Sequence, residues 1–238
     1  MTRTRADART RHPRHERTGE ARLPAVVATL AAIALYLALP QRLLIAPRYV
    51  LPALEFLLLV PLVAINPKRL TRQTKTFRAL SLTLVAVIAA SNLVALSLLI
   101  HELVYAGVKD GRGLLVAALQ VWFTNIIVFG LAYWELDRGG PVSRTQLPRS
   151  ALPLADFRFP QDENDDAVEE VAAGASRSSD WVPTLTDYLY VSVTNSTAFS
   201  PTDTMPLSTR AKLLMTVQGV SALVTSLLVI ARAVSILH

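Results

Sequence analysis

Residues 77–105 read Phe77-Arg-Ala-Leu-Ser-Leu-Thr-Leu-Val-Ala-Val-Ile-Ala-Ala-Ser-Asn-Leu-Val-Ala-Leu-Ser-Leu-Leu-Ile-His-Glu-Leu-Val-Tyr105. Between Arg78 and His101 there is no ionisable side chain. The apolar residues neither alternate as in a strand nor form the one-sided stripe of a surface helix; they fill the run. A run of about 20 such residues matches the thickness of a bilayer's hydrocarbon core. Hydrocarbon offers no water to backbone N–H and C=O groups, so the segment must coil and satisfy them internally.

The same reading extends to four more blocks. The first runs from Pro24 to Ile45, and the second from Tyr49 to Ile65, closed by Asn66-Pro67. The stretch just quoted is the third. The fourth runs from Gly113 to Trp134, with Tyr133 and Trp134 as interfacial aromatics, and Gly139-Gly140-Pro141 breaks the chain after it. The fifth runs from Ser208, a residue suited to a helix N-cap, to Leu237. The fold class expected is an all-α polytopic transmembrane bundle of five spans, with a short re-entrant or interfacial helix before the last. Composition agrees, since 52% of residues are hydrophobic and only 18% are charged, against about 25% in soluble domains.

The remaining chain divides into segments of distinct character. Residues 1–22 form a basic tail with seven arginines and no apolar periodicity, expected to be disordered. Residues 23–137 carry the first four spans. Residues 138–180, with Asp162, Glu163, Asp165, Asp166, Glu169 and Glu170 crowded among small residues, read as an acidic flexible loop. Residues 181–238 hold the short helix, expected to begin near Pro183 and end before Ser200, and the final span. Arginines of the tail, together with Lys68, Arg69, Arg72, Lys75 and Arg78, outnumber Arg42, Arg48, Lys109 and Arg112 of the opposite loops. That asymmetry favours a cytoplasmic N-terminus in a bacterial inner (plasma) membrane. The same placement explains the net charge of +6 without nucleic acid, for which no binding motif is present.

No catalytic constellation is visible. The chain has no cysteine, and His101-Glu-Leu-Val-Tyr105 lacks the second histidine of a zinc-protease helix. Neither an enzyme, a cofactor nor a metal site is expected. Polar residues inside spans are costly and default to function. These are Glu55, Asn92, Gln120, Asn125, Gln218, Ser221, Thr225 and Arg232. Gln218, Ser221, Thr225 and Arg232 share one face of the last span at 100° per residue. With five spans Glu55 and Arg232 lie at similar depth and could form an ion pair.

The run Asp187-Tyr-Leu-Tyr-Val-Ser-Val-Thr-Asn-Ser-Thr-Ala-Phe-Ser-Pro-Thr-Asp203 resembles the pore helix and filter of two-helix potassium channels. Asp187, Leu189, Tyr190, Ser192, Thr197, Asp203 and Pro206 match the family's pattern, and the filter falls on residues 198–202. There Ser200, Pro201 and Thr202 replace the residues that give the filter its backbone freedom, so potassium selectivity is not implied. The same segment is similar to a set of multi-pass bacterial membrane proteins of unassigned function. The resemblance implies pore-loop candidates at Asp187, Thr194, Asn195, Thr197, Phe199, Ser200, Thr202 and Asp203. It also implies a homo-oligomer, since one copy encloses no pore, and a monovalent cation as ligand. The alternatives are a small-solute or ion transporter, and a non-catalytic structural or accessory protein of the bilayer. A further topology, in which residues 181–200 cross the membrane as a sixth polar span, stays open on sequence alone.

Overall fold

The computed structural model describes residues 18–105, 111–163, 168–197 and 203–237; for residues 104, 111, 177, 178 and 232–237 it describes the backbone alone. The principal elements are α1 (Leu23–Leu37), α2 (Val50–Ile65), α3 (Lys75–Tyr105) and α4 (Gly111–Leu136). Three short helices follow, α5 (Pro141–Gln146), α6 (Glu169–Ala172) and α7 (Ser176–Ser179). The chain closes with α8 (Leu185–Thr197) and α9 (Thr209–Leu237). Two-residue strands β1 (Glu20–Ala21) and β2 (Arg69–Leu70) pair antiparallel, as do β3 (Phe157–Arg158) and β4 (Met205–Pro206).

Among the described residues, three helical stretches are long and apolar enough to cross a membrane: Lys75–Leu103, Arg112–Gly139 and Thr209–Ala231. The two shorter apolar helices, α1 and α2, have 15 and 16 residues. At 1.5 Å per residue these reach about 22–24 Å, less than a full hydrocarbon core.

Helix α4 is the axis of the bundle. It packs against α1, α3, α8 and α9, and 61% of its apolar window is buried, against 22% for α9. Helix α1 offers α4 a face of small residues, Ala25, Ala28, Thr29 and Ala32, a composition that lets apolar helices approach closely. Helix α2 buries only Pro52, Glu55, Leu59 and Leu62, a narrow stripe against α3. Its Leu54, Phe56, Leu57 and Val60 face outward, as lipid-facing residues do.

The core divides into two apolar clusters. One, around Phe77, Phe129, Tyr133, Phe157 and Tyr188, lies toward the end that carries β1, β2 and Trp134, here the basal end. The other, around Leu43, Leu96, Leu99, Leu114 and Val121, lies toward the far end.

Local chemistry starts the helices. Thr74 Oγ1 accepts from Phe77 N–H at 3.0 Å and caps α3. Ser208 Oγ accepts from Ala211 N–H at 3.1 Å and caps α9, the expected residue in the expected role. Helix α8 begins at Leu185, two residues beyond the expected Pro183. Thr184 is its N-cap, and Asp187 Oδ2 reaches back to the Thr184 N–H at 2.7 Å, the reciprocal half of a capping box.

The segments outside the spans differ from expectation. The last residues of the basic tail are ordered, with Glu20 and Ala21 paired to the loop between α2 and α3; residues 1–17 lie outside the described chain. The expected flexible loop 138–180 is packed over much of its length. Val142, Arg144, Thr145, Asp156, Phe157, Phe159 and Ala175 are buried. The physical reason is that its charges have partners on other elements, so folding them under the bundle leaves few unpaired. Asp165 and Asp166 of the acidic cluster lie outside the described residues.

Helices α8 and α9 both start at the basal end. Leu185 N–H donates to Glu20 Oε1 at 2.7 Å, and Arg210 donates to Asp156 at 2.7 Å through Nε. Both then run alongside α4 in the same direction. Helix α8 ends at Thr197, and by Met205 the chain is back at the basal end, paired with Arg158. The chain thus enters α8 and α9 from the same end of the bundle.

Candidate functional site

Gln218 is fully buried in α9 and is the centre of a polar node between three helices. Its Oε1 accepts from Tyr133 O–H of α4 at 2.5 Å and from Asn195 Nδ2 of α8 at 2.9 Å. Its Nε2 donates to Ser192 O at 2.9 Å, Ser192 Oγ at 2.6 Å and Ser196 Oγ at 2.8 Å. Ser192 Oγ in turn donates to Ile126 O of α4 at 2.6 Å. Asn195 also donates to Met215 O at 3.0 Å. Gln218 thereby holds α8 between α4 and α9 by groups whose hydrogen-bonding capacity is used.

Close approach of the backbones makes the node feasible. Gly130 of α4 faces Leu189 of α8, and a Cβ there would meet Leu189 Cδ2 at 2.7 Å and its Cα at 3.3 Å. Glycine lets α8 lie against α4 at Ile126 and Tyr133, one turn to either side.

Below the node is a second, more strongly charged layer. Asp137 is fully buried; its Oδ1 accepts from Asp156 N–H at 2.6 Å and its Oδ2 from Tyr188 O–H at 2.5 Å. Arg144, also fully buried, donates to Trp134 O at 2.7 Å and Asp137 O at 2.9 Å, and its guanidinium lies 4.8 Å from the Tyr188 ring centre. Asp156 accepts from Ser208 O–H at 2.5 Å and from Arg210. Arg138 pairs with Asp162 at 2.7 Å, and Glu135 pairs with Arg78 at 2.9 Å and accepts from Ser81 O–H. Arg138 and Gly140 hold left-handed or related backbone, φ 50° and 94°, which turns the chain beneath α4. This layer fixes the starting points of α5, α8 and α9 relative to the end of α4.

Glu20 closes the layer from the N-terminal side. Its carboxylate accepts from Trp134 Nε1 at 3.0 Å and Leu185 N–H at 2.7 Å, and lies 3.8 Å from Arg144. Burial pushes its pKa above the ordinary 4.5, opposed by Arg144 and by the hydrogen bonds it accepts.

A third polar group is separate from both. Glu55 of α2 is 1% exposed, and its Oε2 has no hydrogen-bond partner. It lines a cavity of about 10 Å³ with Ala32, Tyr36, Leu39, Ile88, Ser91, Asn92, Ala95 and Thr124. That is room for about one water.

The structure separates the expected site residues into these groups. Asn195 and Gln218 meet in the node, and Asn125 Nδ2 makes a long contact of 3.4 Å to Gln218 O. Glu55 and Asn92 meet at the cavity. Ser221 and Thr225 donate to the carbonyls four residues before them, and Thr194 and Thr197 do likewise within α8. Those four hydroxyls satisfy their own helices. Gln120 Oε1 has no partner. Asp187 is a capping residue and Asp203 is exposed. Phe199, Ser200 and Thr202 lie outside the described residues, as does the side chain of Arg232 and with it the Glu55–Arg232 pair. Asp137, Arg144, Asp156 and Tyr188 were not anticipated as a site. The available signal was Glu135, Asp137 and Arg138 crowded at the end of an apolar span, where solitary basic residues are the usual finding.

No protein-family model matches the chain, nor does any curated protein or solved structure.

Proposed function

We propose that the chain is a multi-pass membrane protein of five spans with a cytoplasmic N-terminus, working as a channel-like oligomeric pore module for a monovalent cation. In this reading α1 and α2 complete the crossings made by α3, α4 and α9, and α8 is a re-entrant half-helix. The observation that carries it is the common starting end of α8 and α9, with α8 stopping beside Gln218. A helix that enters part-way and returns to the side it came from is the shape of a pore loop, and the resemblance of residues 187–203 to a pore helix and filter falls on that element. Helix α9 leaves Leu213, Val217, Val220, Leu227 and Ile230 exposed along one side, a surface that a second copy or lipid would cover.

The test is cation flux from liposomes that hold the purified chain, with Thr197→Ala, Ser200→Ala and Asp203→Asn beside the parent. Flux in the parent, altered by at least one substitution, is the expected result. Absence of flux, indifference to all three substitutions, or a monomer in detergent would count against the pore reading. A transporter is the second reading, and the observation that favours it is the enclosed cavity at Glu55.

A further inference from the structure

We propose that the cavity at Glu55 is a binding site for one sodium ion in competition with a proton. The inference does not rest on the pore reading, because among the described residues the cavity is walled by α1 to α4 and Leu39, with none from α8 or α9.

The chemistry of the wall determines the kind of occupant. Ser91 donates its hydroxyl proton to Ile88 O at 2.9 Å, and Thr124 donates its own to Gln120 O at 2.9 Å. Each therefore turns only lone pairs to its surroundings. Glu55 adds a carboxyl oxygen without a partner, and the Tyr36 hydroxyl is likewise unpartnered. Asn92, 4% exposed, adds an amide. Tyr36 and Asn92 each bring a donor as well as an acceptor oxygen, so the acceptor-only oxygens of the wall are those of Ser91, Thr124 and the Glu55 carboxylate, and the occupant these complement is a hard cation.

Charge and size narrow the choice. Among the described residues the wall carries one carboxylate, with Tyr36 as the only other titratable group that lines it. One negative charge balances one monovalent cation. The volume, near that of one water, excludes a cation that keeps a hydration shell, as magnesium does. An isolated carboxylate at this depth is costly unless neutralised. A bound proton achieves that, and so does a dehydrated sodium ion. Both act on the same oxygen, so the two must compete.

Position supplies the last argument. Ala32 and Ile88 of the wall border the basal apolar cluster, and Tyr36, Leu39 and Ala95 border or belong to the far one. The carboxyl lies between two apolar clusters. Nothing in that position stabilises the fold more cheaply than an aliphatic side chain would, so a ligand gives the carboxyl its reason to be there.

The experiment measures thermal unfolding of the purified full chain in detergent, in sodium chloride against choline chloride at equal ionic strength. At pH 8 sodium should raise Tm in a saturable way, as a ligand of the folded state alone does. At pH 5.5 the increment should shrink, because protons hold the carboxyl. Equilibrium binding of radioactive sodium should approach one ion per chain and be lost in Glu55→Gln, while Thr216→Ala, which removes only an exposed hydroxyl bonded within α9, keeps it. If Glu55→Gln does not fold, Ser91→Ala should weaken sodium binding several-fold. Equal Tm in sodium and choline at pH 8 would overturn the proposal, as would sodium binding that survives Glu55→Gln. Sodium-independent stability that falls in Arg232→Gln would also overturn it, in favour of an ion pair.

Discussion

Gln218 spends both ends of its amide on partners in α4 and α8. Replacement by leucine keeps the volume and strands Tyr133 O–H and Ser196 Oγ, and removes one partner each from Asn195 and Ser192. Interhelical hydrogen bonds in bilayers are individually modest, so the sum should come to about 2–3 kcal/mol. Gln218→Leu should lower the denaturant midpoint in mixed micelles by that amount, whereas Ser221→Ala, which removes only a bond within α9, should leave it nearly unchanged. Glu20 gives a residue-scale prediction in pH. Its folded pKa lies above 4.5, chiefly through burial, so the folded chain holds the proton more tightly than the unfolded one. Stability from this group is complete below about pH 4.5 and is lost as pH rises through the raised value. Comparison of Tm against pH for the parent and Glu20→Gln should show a downward slope above pH 4.5 that is shallower in the variant.

At the scale of elements, α8 is the piece whose placement depends on others. It is short, carries Ser, Thr and Asn through its length, and reaches its position by Gly130 on one side and Gln218 on the other. A Cβ at residue 130 must move Leu189 and then the α8 backbone. Gly130→Ala should cost about 1–3 kcal/mol by overpacking, and Gly130→Val should shift α8 enough to open the node. The check is a cysteine at the buried position 192. Ser192→Cys should resist a thiol reagent in the Gly130 background and react when combined with Gly130→Val. The long helices were legible in the sequence because hydrocarbon imposes one solution on an apolar run, whatever its neighbours. The α8 segment was legible as an anomaly, too polar to cross and too aromatic for a loop, and Gln218 as a polar residue inside a span. The basal layer was not legible. Its pairs join residues as distant as Glu20 and Leu185, or Asp137 and Tyr188, and no local pattern marks such partners. Composition alone made 138–180 look like a solvated spacer, because eight acidic residues and several small ones suit disorder until their arginines are found.

For the whole molecule, the two ends of the bundle differ in kind. The basal end gathers the ordered end of the tail, both strand pairs, the charged layer and the starts of α8 and α9. At the far end Leu43 and Leu44 share an apolar cluster with Leu99 and Leu114. An end that carries buried arginines, a paired tail and most of the chain outside the spans requires a watery compartment beneath it in which to fold. Lys68, Arg69, Arg72 and Lys75 belong to that end, and in the proposed topology this basic connection is a cytoplasmic one. Orientation is therefore a property of the assembled end, and one labelling experiment tests it together with the re-entrant course of α8. Exposed Glu169 and half-buried Asp187 belong to the basal end, and exposed Tyr105 to the far end. With Glu169→Cys, Asp187→Cys and Tyr105→Cys made singly in intact cells, an impermeant thiol reagent added outside should modify only Tyr105→Cys, and lysis should expose the other two. Labelling of Asp187→Cys from outside while Glu169→Cys stays protected would mean that the chain crosses between them. In that case α8 could not enter from the basal side, and the pore-loop reading would lose the geometry it stands on.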